Sequence, residues 1–407
     1  MQAEVTTSQT FEYFRIPAHI IGSERVQLVG AKLDHISDQE RTNLRRHIDS
    51  LLVYMHDADA SDIDLGGPGT NGKVWYRIQG EKTASDDHRS YSDDELDILL
   101  INLLTPKQIE FLIEKGSIDF SHSVDVGEDK PRRFRATIYL EMGRPALNMR
   151  KINNSIRPFK SLNLHPEVAK ALSLNYLKFG LTLVTGITGS GKSSTLDTII
   201  DANNRTANAH IVIIASPVEL VHDSKKCIVR HREVGRDVKS FKSGAVESLR
   251  QDPDIIVIGE LRDQETIQTA LEITDSGHKT FSTLHTASAT ESIDRIIGEI
   301  EVNQQDRVRN RLADVLTCVI SQKLLPSLDG KRVLAKEILI GTSSVKAAIR
   351  NNNLNEIYQM LTEGSAYGMQ TLEQDLKKLL DERKISAEVA MSYANNKTRM
   401  RELITQG

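Results

Sequence analysis

The chain has 407 residues, of which 39% are hydrophobic and 27% charged, with a formal net charge of −4. That composition is ordinary for a globular protein of two or three domains and gives no bulk attraction to nucleic acid or to an acidic membrane. Two cysteines without a C-x-x-C pair argue against a disulfide framework or a structural zinc site and fit a reducing cytoplasm, and no apolar run nears the roughly 20 residues that span a bilayer.

The opening MQAEVTTSQTFEYF lacks a basic stretch followed by an apolar core, so it does not read as a secretory signal. Residues 1–45 are polar and mixed, an extension without an assignable role, and one helix-like piece runs from Asp38 to His56. Residues 46–152 read as one mixed α and β domain. In it KVWYRIQG has strand character, and DDELDILLINLLTPKQIEFLIEKG places apolar residues at helical intervals, with Pro106 opening a second helix. RRFRATIYLEM alternates: Phe134, Ala136, Ile138 and Leu140 face one way, Arg135, Thr137 and Tyr139 the other. With Arg144 and Arg150 following, a local basic face is expected, which composition alone assigns to solvent.

Residues 153–166, NNSIRPFKSLNLHP, are rich in turn formers and poor in periodicity, as in a linker. From 167 to 340 the texture changes. Short apolar strands at 181–185, 211–215, 255–259 and 279–284 alternate with helical stretches, the order of a parallel α/β sheet. Residues 341–407 read as helices only.

GITGSGKS, Gly186 to Ser193, fits the phosphate-loop pattern G-x-x-x-x-G-K-[ST], with a strand before it and a helix after it. Glycines let the backbone wind around phosphate oxygens while N–H groups and the helix N-terminus face the charge. The expected ATP contacts are Gly186, Thr188, Gly189, Ser190, Gly191, Lys192, Ser193 and Ser194. Lys192 reaches the β and γ phosphates, and Ser193 ligates Mg²⁺.

IIVIGELRD is a buried strand that stops at Gly259-Glu260. Ligands of parallel sheets sit outside the carboxyl ends of the strands, so Glu260 can share the crevice of Lys192. The usual magnesium-binding aspartate is replaced by Gly259, and Asp252 and Asp254 lie at the strand's other end. Glu260 is therefore the expected hydrolytic base that orients a water, although an acid there also suits the cap of the next helix. Glu219 follows another strand exit. His285 ends a third strand, with His278 before it. Lone histidines are more often structural, and a seven-residue spacing does not suit a metal pair, but their place in this sheet suggests phosphate sensing.

GITGSGKSST, SPVELVHDSKKCIVRHREVGRD, SLRQDPDIIVIGELRD, SGHKTFSTLHTASATESIDRII and YGMQTLEQDL together resemble, in order, the motifs of the secretion ATPases of type IV pilus and type II/IV secretion machines, above all the pilus retraction ATPases (PilT-like). The resemblance implies a PAS-like α+β N-terminal domain and a RecA-like P-loop ATPase domain with a C-terminal helical segment. It also implies a homohexamer that hydrolyses ATP with Mg²⁺ and drives pilus retraction. Such a motor works on the cytoplasmic side of the inner membrane, reaching the membrane through a platform protein, without nucleic acid. By order and spacing, Arg135 and Arg150, with Arg133 and Arg144 nearby, match family arginines that reach the nucleotide. Three departures stand out. The acidic box reads ASPVE, with Ala215 and Ser216 in place of two acids. The retraction-linked helix survives only as AIRN, Ala348 to Asn351, and about 45 residues precede the usual start. The departures leave open an ATPase of a conjugation or effector secretion system, or a weakly hydrolysing, nucleotide-gated regulatory subunit.

Overall fold

The computed structural model describes residues 15–127, 130–152 and 155–405, so the opening stretch read against a secretory signal lies outside the described residues. The chain divides into two compact units. One gathers the described chain up to Ser155 with Ser216–Val221 and Arg232–Ser240. The other holds Ile156–Ala215, His222–His231 and the described chain from Phe241.

The first unit is built on a six-stranded antiparallel sheet of β1 (Asp62–Gly66), β2 (Trp75–Ile78), β3 (Glu81–Ala84), β4 (Ser117–Val124), β5 (Arg132–Glu141) and β6 (Arg144–Lys151), in the order β3-β2-β1-β6-β5-β4. The alternation of β5 is as its sequence indicates: Phe134, Ala136 and Ile138 are fully buried, while Arg135, Thr137 and Tyr139 lie on the other face. Helices Gly22–Leu33, Asp38–Asp57, Asp93–Ile101 and Pro106–Lys115 supply apolar residues to the same core. Three of them begin with capping boxes: Ser37 with Glu40, Ser92 with Glu95, and Thr105 with Gln108 ahead of Pro106.

The expected extension ends differently. A break after residue 45 would fall inside the helix Asp38–Asp57, and the preceding helix inserts Val26, Val29 and Leu33 into the core. Those three residues sit at helical spacing, a stripe that a reading of average polarity over residues 1–45 passes over. Arg25, also on that helix, is fully buried and is paired with both Asp94 and Asp97.

The second unit contains β7 (Gly180–Thr185), β8 (His210–Ala215), β10 (Ile255–Ile258), β11 (Lys279–Leu284), β12 (Leu316–Pro326) and β13 (Arg332–Ile340), in a seven-stranded sheet completed by β9 (Ile228–Glu233). The order is β13-β12-β7-β11-β10-β8-β9. β12, β7, β11, β10 and β8 run parallel to their neighbours, and β13 returns antiparallel on β12. The four strands read from the sequence are all present, and burial along nearly their whole length, of polar Lys279, Thr280 and Ser282 in β11 as well as of aliphatic residues, is what a parallel sheet covered on both faces imposes. β9 falls in the stretch whose resemblance implies a strand after the acidic box, and the hairpin of β12 and β13 is an addition to that reading.

Beyond the hairpin the chain is helical, from Ser343–Arg350 to Lys397–Thr405. Leu372, Leu376, Ile385, Ala390 and Met400 pack with Leu325 and Ala335 of the hairpin. The AIRN segment ends the helix Ser343–Arg350, and a turn at Asn351–Asn353 separates it from the helix Leu354–Glu363. Among the described residues no helix is long and apolar enough to cross a membrane.

Candidate active site

The phosphate-loop sequence leaves the end of β7 at Gly186 and enters the helix Lys192–Thr206 through Gly191. Gly186 has φ +150° and no room for a side chain: a Cβ would stand 2.3 Å from Ser190 Oγ and 2.5 Å from the Gln322 carbonyl oxygen. Gly191, with φ +89°, caps the helix in the left-handed region, where a Cβ is strained. Thr188, Gly189, Ser193 and Ser194 are exposed, and Ser190 is buried with its hydroxyl unpartnered among the described residues. Gln322 of β12 donates to the Ser190 carbonyl at 2.8 Å, bracing the loop from the adjacent strand. The loop therefore leaves exposed backbone and a helix N-terminus facing solvent, the setting in which backbone N–H groups bind phosphate.

Lys192 Nζ donates to the carbonyls of Gly186 and Ile187 at 2.8 and 3.1 Å, and reaches His285 Nδ1 at 3.5 Å. His285 follows β11, the strand next to β7, and its Nε2 lies 3.7 Å from Glu260 Oε2. Glu260 follows β10, the next strand again, and its Oε1 is 2.6 Å from Arg262 Nε. Three adjacent parallel strands thus deliver an ammonium, an imidazole and a carboxylate to one edge. Burial lowers the pKa of Lys192, and the Glu260 carboxylate opposes that shift. Burial also lowers the pKa of His285, aided by Lys192 and opposed by Glu260.

The β10 exit is held from both sides. Gly259 N–H donates to the Ile214 carbonyl at 2.8 Å, while Thr283 Oγ1 donates to the Gly259 carbonyl at 2.7 Å. Leu261 N–H donates to the Thr283 carbonyl at 3.1 Å. A Cβ on residue 259 would lie 3.1 Å from the Phe241 ring and 3.2 Å from the Ile214 carbonyl oxygen. A side chain at 259 would need these neighbours to give by a few tenths of an ångström, so the exit favours glycine there, with the carboxylate one residue further out.

Residues 124–407 match the profile of the type II/IV secretion system protein family. The chain belongs to this family. It is similar to the type IV pilus retraction ATPase PilT of Pseudomonas aeruginosa, 39% identical over 296 residues that cover 73% of this chain and 84% of PilT. The twitching motility protein of Neisseria gonorrhoeae is 36% identical over 76% of this chain and 81% of its own length. Among solved structures, the pilus retraction motor PilT with bound ADP superposes with a TM-score of 0.75 at 37% identity, covering 87% of this chain and 99% of that one. The ATPase DotB of Legionella pneumophila gives a TM-score of 0.74 at 26% identity, covering 86% and 95%. As a member of the secretion ATPases, the chain is a nucleotide-binding ATP hydrolase.

In this secretion ATPase the remaining expected residues divide by location. Glu219, Arg135 and Arg150 all lie in the first unit. Arg135 faces Glu219 Oε1 at 3.5 Å and Asp119 Oδ2 at 3.1 Å, and Arg133 donates to the carbonyls of Val218 and Glu219. Arg150 stands directly across the ladder from Arg135, and its Nε is 2.7 Å from Asp62 Oδ1. His278 is a correction. It precedes Lys279, which pairs with Gly180 at the start of β7, whereas the phosphate loop follows Thr185 at the other end. Its ring instead meets Ser276 Oγ at 3.0 Å and the Ile273 carbonyl at 3.2 Å, closing the C-terminus of the helix Gln264–Asp275. Arg262 and Gln322 complete the site beyond the residues expected from sequence. Arg262 lies two residues beyond Glu260 in the same motif, a signal contained in the sequence, while Gln322 carries no local signal because only the pairing of β12 with β7 brings it there.

The donor set suits a magnesium ion carried in with nucleotide. Ser193 offers one exposed hydroxyl on the first turn of the helix, and among the described residues no group of three or more His, Cys, Asp or Glu could hold a metal ion. Mg²⁺ commonly takes one or two protein ligands and completes its shell with phosphate oxygens and water.

Proposed function

We propose that this secretion ATPase is the hexameric motor of type IV pilus retraction, which withdraws pilin subunits through an inner-membrane platform protein on the cytoplasmic side. The observation that carries the reading is the chain of contacts from Lys192 through His285 to Glu260, formed at the edge where the phosphate loop opens. Its similarity to the PilT retraction ATPase and to the gonococcal twitching motility protein supplies the kind of work.

In this reading the loop N–H groups and Lys192 bind the β and γ phosphates of ATP. Glu260 orients a water in line with the γ-phosphorus and accepts its proton as the P–O bond to ADP breaks. His285, bridging Lys192 and Glu260, registers whether the γ-phosphate is present. Ser193 would hold Mg²⁺, which when bound neutralises charge on the phosphate oxygens. Arg135 and Arg150 supply positive charge to the phosphoryl group during turnover, and Glu219 serves in the same step. The two units correspond to the PAS-like and RecA-like domains of such a motor, and the helices after residue 340 to its C-terminal segment.

Steady-state phosphate release measured alongside particle mass tests this. The wild type is expected to run as a ring of six and to turn over ATP, and Lys192→Ala and Glu260→Gln each to lose at least about tenfold in rate. Undiminished turnover in both variants overturns the site. A wild-type ring that binds ATP without releasing phosphate makes the chain a nucleotide-gated subunit instead.

A further inference from the structure

His285 sits on a loop whose backbone is gripped from far along the chain. After β11 the loop runs to Ser288, which caps the helix Ala289–Gly298. The Ala287 carbonyl accepts from Asn395 Nδ2 at 3.1 Å, and Ala289 N–H donates to Glu337 Oε1 at 2.7 Å. Asn395 lies between two C-terminal helices, and Glu337 lies on β13. Neither is near His285 in sequence.

Both anchors are themselves fixed. Lys323 Nζ donates to Asn395 Oδ1 at 2.7 Å and to the Tyr393 carbonyl at 2.8 Å. That bond sets the orientation of the amide, because only its nitrogen is then free to point at Ala287. The Glu337 carboxylate is buried and accepts from the Ala289 N–H, at the start of the helix that continues the His285 loop. Glu373, buried beside it, accepts from Asn396 N–H at 2.8 Å and from the Tyr358 hydroxyl at 3.3 Å. A hydroxyl chain secures the loop's inner side: Thr286 Oγ1 is 2.7 Å from Ser292 Oγ, which reaches Thr185 Oγ1 at 3.4 Å, one residue before the phosphate loop.

We propose that Asn395 and Glu337 are positioning residues for His285, so that the C-terminal helices set the rate of the chemical step through the loop without touching nucleotide. The inference rests on the role given to His285 above. Its physical content is that the groups gripping the phosphates belong to a different loop, braced by Gln322, and stay in place when the Asn395 contact is lost. What shifts is the imidazole between Lys192 and Glu260, and small misplacements at a reacting centre lower rate more than affinity.

Asn395 is exposed, so Asn395→Ala removes its two side-chain contacts without opening a core cavity. The variant is expected to lower kcat by about five- to twentyfold, with KM for ATP within about twofold of wild type. Glu337→Gln keeps an acceptor of the same size but weakens its hold on the Ala289 N–H, and is expected to change kcat in the same direction. The cycle with His285→Ala separates the possibilities. If Asn395 acts through His285, Asn395→Ala costs nothing further in the His285→Ala background, read by single-turnover phosphate release where steady-state rates are low. A full additional loss there, a KM rise in place of a kcat fall, or unchanged kcat in Asn395→Ala overturns the proposal while leaving the site intact. Undiminished turnover in His285→Ala removes the role of His285 itself, and the positioning claim with it.

Discussion

Both sheets carry clustered charge, but they place it differently. In the second unit Lys192, His285 and Glu260 come from the carboxyl ends of three neighbouring parallel strands. In the first, Arg135, Arg150, Asp62 and Arg77 form one row across the face of β5, β6, β1 and β2. The row is largely self-satisfied: Arg135 has Asp119 and Glu219, and Arg150 has Asp62. The strand-end group is linked through His285 by longer contacts, at 3.5 Å to Lys192 and 3.7 Å to Glu260, while Lys192 also holds two loop carbonyls and Glu260 holds Arg262. A strand face lets side chains neutralise one another across the ladder, whereas a parallel sheet's edge collects loops and leaves room for a ligand to complete the pairing.

The hardest way to break this contrast is through charge that no solvent reaches. Arg25 is fully buried against Asp94 and Asp97, so Arg25→Ala leaves the buried Asp97 with only Arg144, at 3.6 Å, and is expected to destabilise the first unit by roughly 3 kcal/mol. Chemical denaturation measures it, and a loss below about 1 kcal/mol would reduce the buried pair to a bystander. The pH dependence follows in sign. Burial lifts the Asp97 carboxyl to about 6, against the pull of Arg25 and Arg144. An acid whose folded pKa is raised binds its proton more tightly in the fold, so its contribution falls as pH rises from the unfolded value toward 6. Without Arg25 the shift grows, and the penalty is expected to be larger at pH 8 than at pH 5.

How much of this could be read beforehand depends on how local each feature is. The phosphate loop and Gly259-Glu260 are contiguous words whose neighbours in space are their neighbours in sequence, and their strands were named correctly. His278 and His285 look alike as residues, yet one precedes the strand Lys279–Leu284 and the other follows it, so the carboxyl-end rule already separates them and the register of β11 on β7 agrees. The Asp62 partner of Arg150 is 88 residues away, and the Asn395 anchor of Ala287 is 108 away, so neither leaves a local trace. The helix Gly22–Leu33 is masked for a different reason: its buried face begins with Arg25, a charge that belongs inside only because two acids on another helix meet it.

Gly259 offers an intermediate test on the strand-end side. Restoring an acid with Gly259→Asp drives a Cβ toward the Phe241 ring at 3.1 Å and the Ile214 carbonyl at 3.2 Å, so the strand exit must give by a few tenths of an ångström. Overpacking of this kind costs about 1–3 kcal/mol, and the displaced exit carries Glu260 with it. Lower thermal stability and lower turnover are expected together. A variant with native stability and raised activity would show that the exit tolerates a carboxylate, and that crowding does not explain the glycine.

The smallest stability effect belongs to the exposed row. Arg150 is 67% exposed and its bond to Asp62 is open to water, so Arg150→Ala is expected to cost at most about 1 kcal/mol in unfolding free energy. Asp62 keeps Arg77 within 3.8 Å, which limits the loss further. If the row exists only to satisfy itself, turnover will be unchanged as well. If Arg150 supplies charge to the phosphoryl group, kcat falls in a protein that melts at the wild-type temperature, and that separation of rate from stability is the signature a self-paired face cannot produce. Arg150→Lys sharpens the result, because an ammonium preserves the charge opposite Asp62 but not the planar fork that grips phosphate.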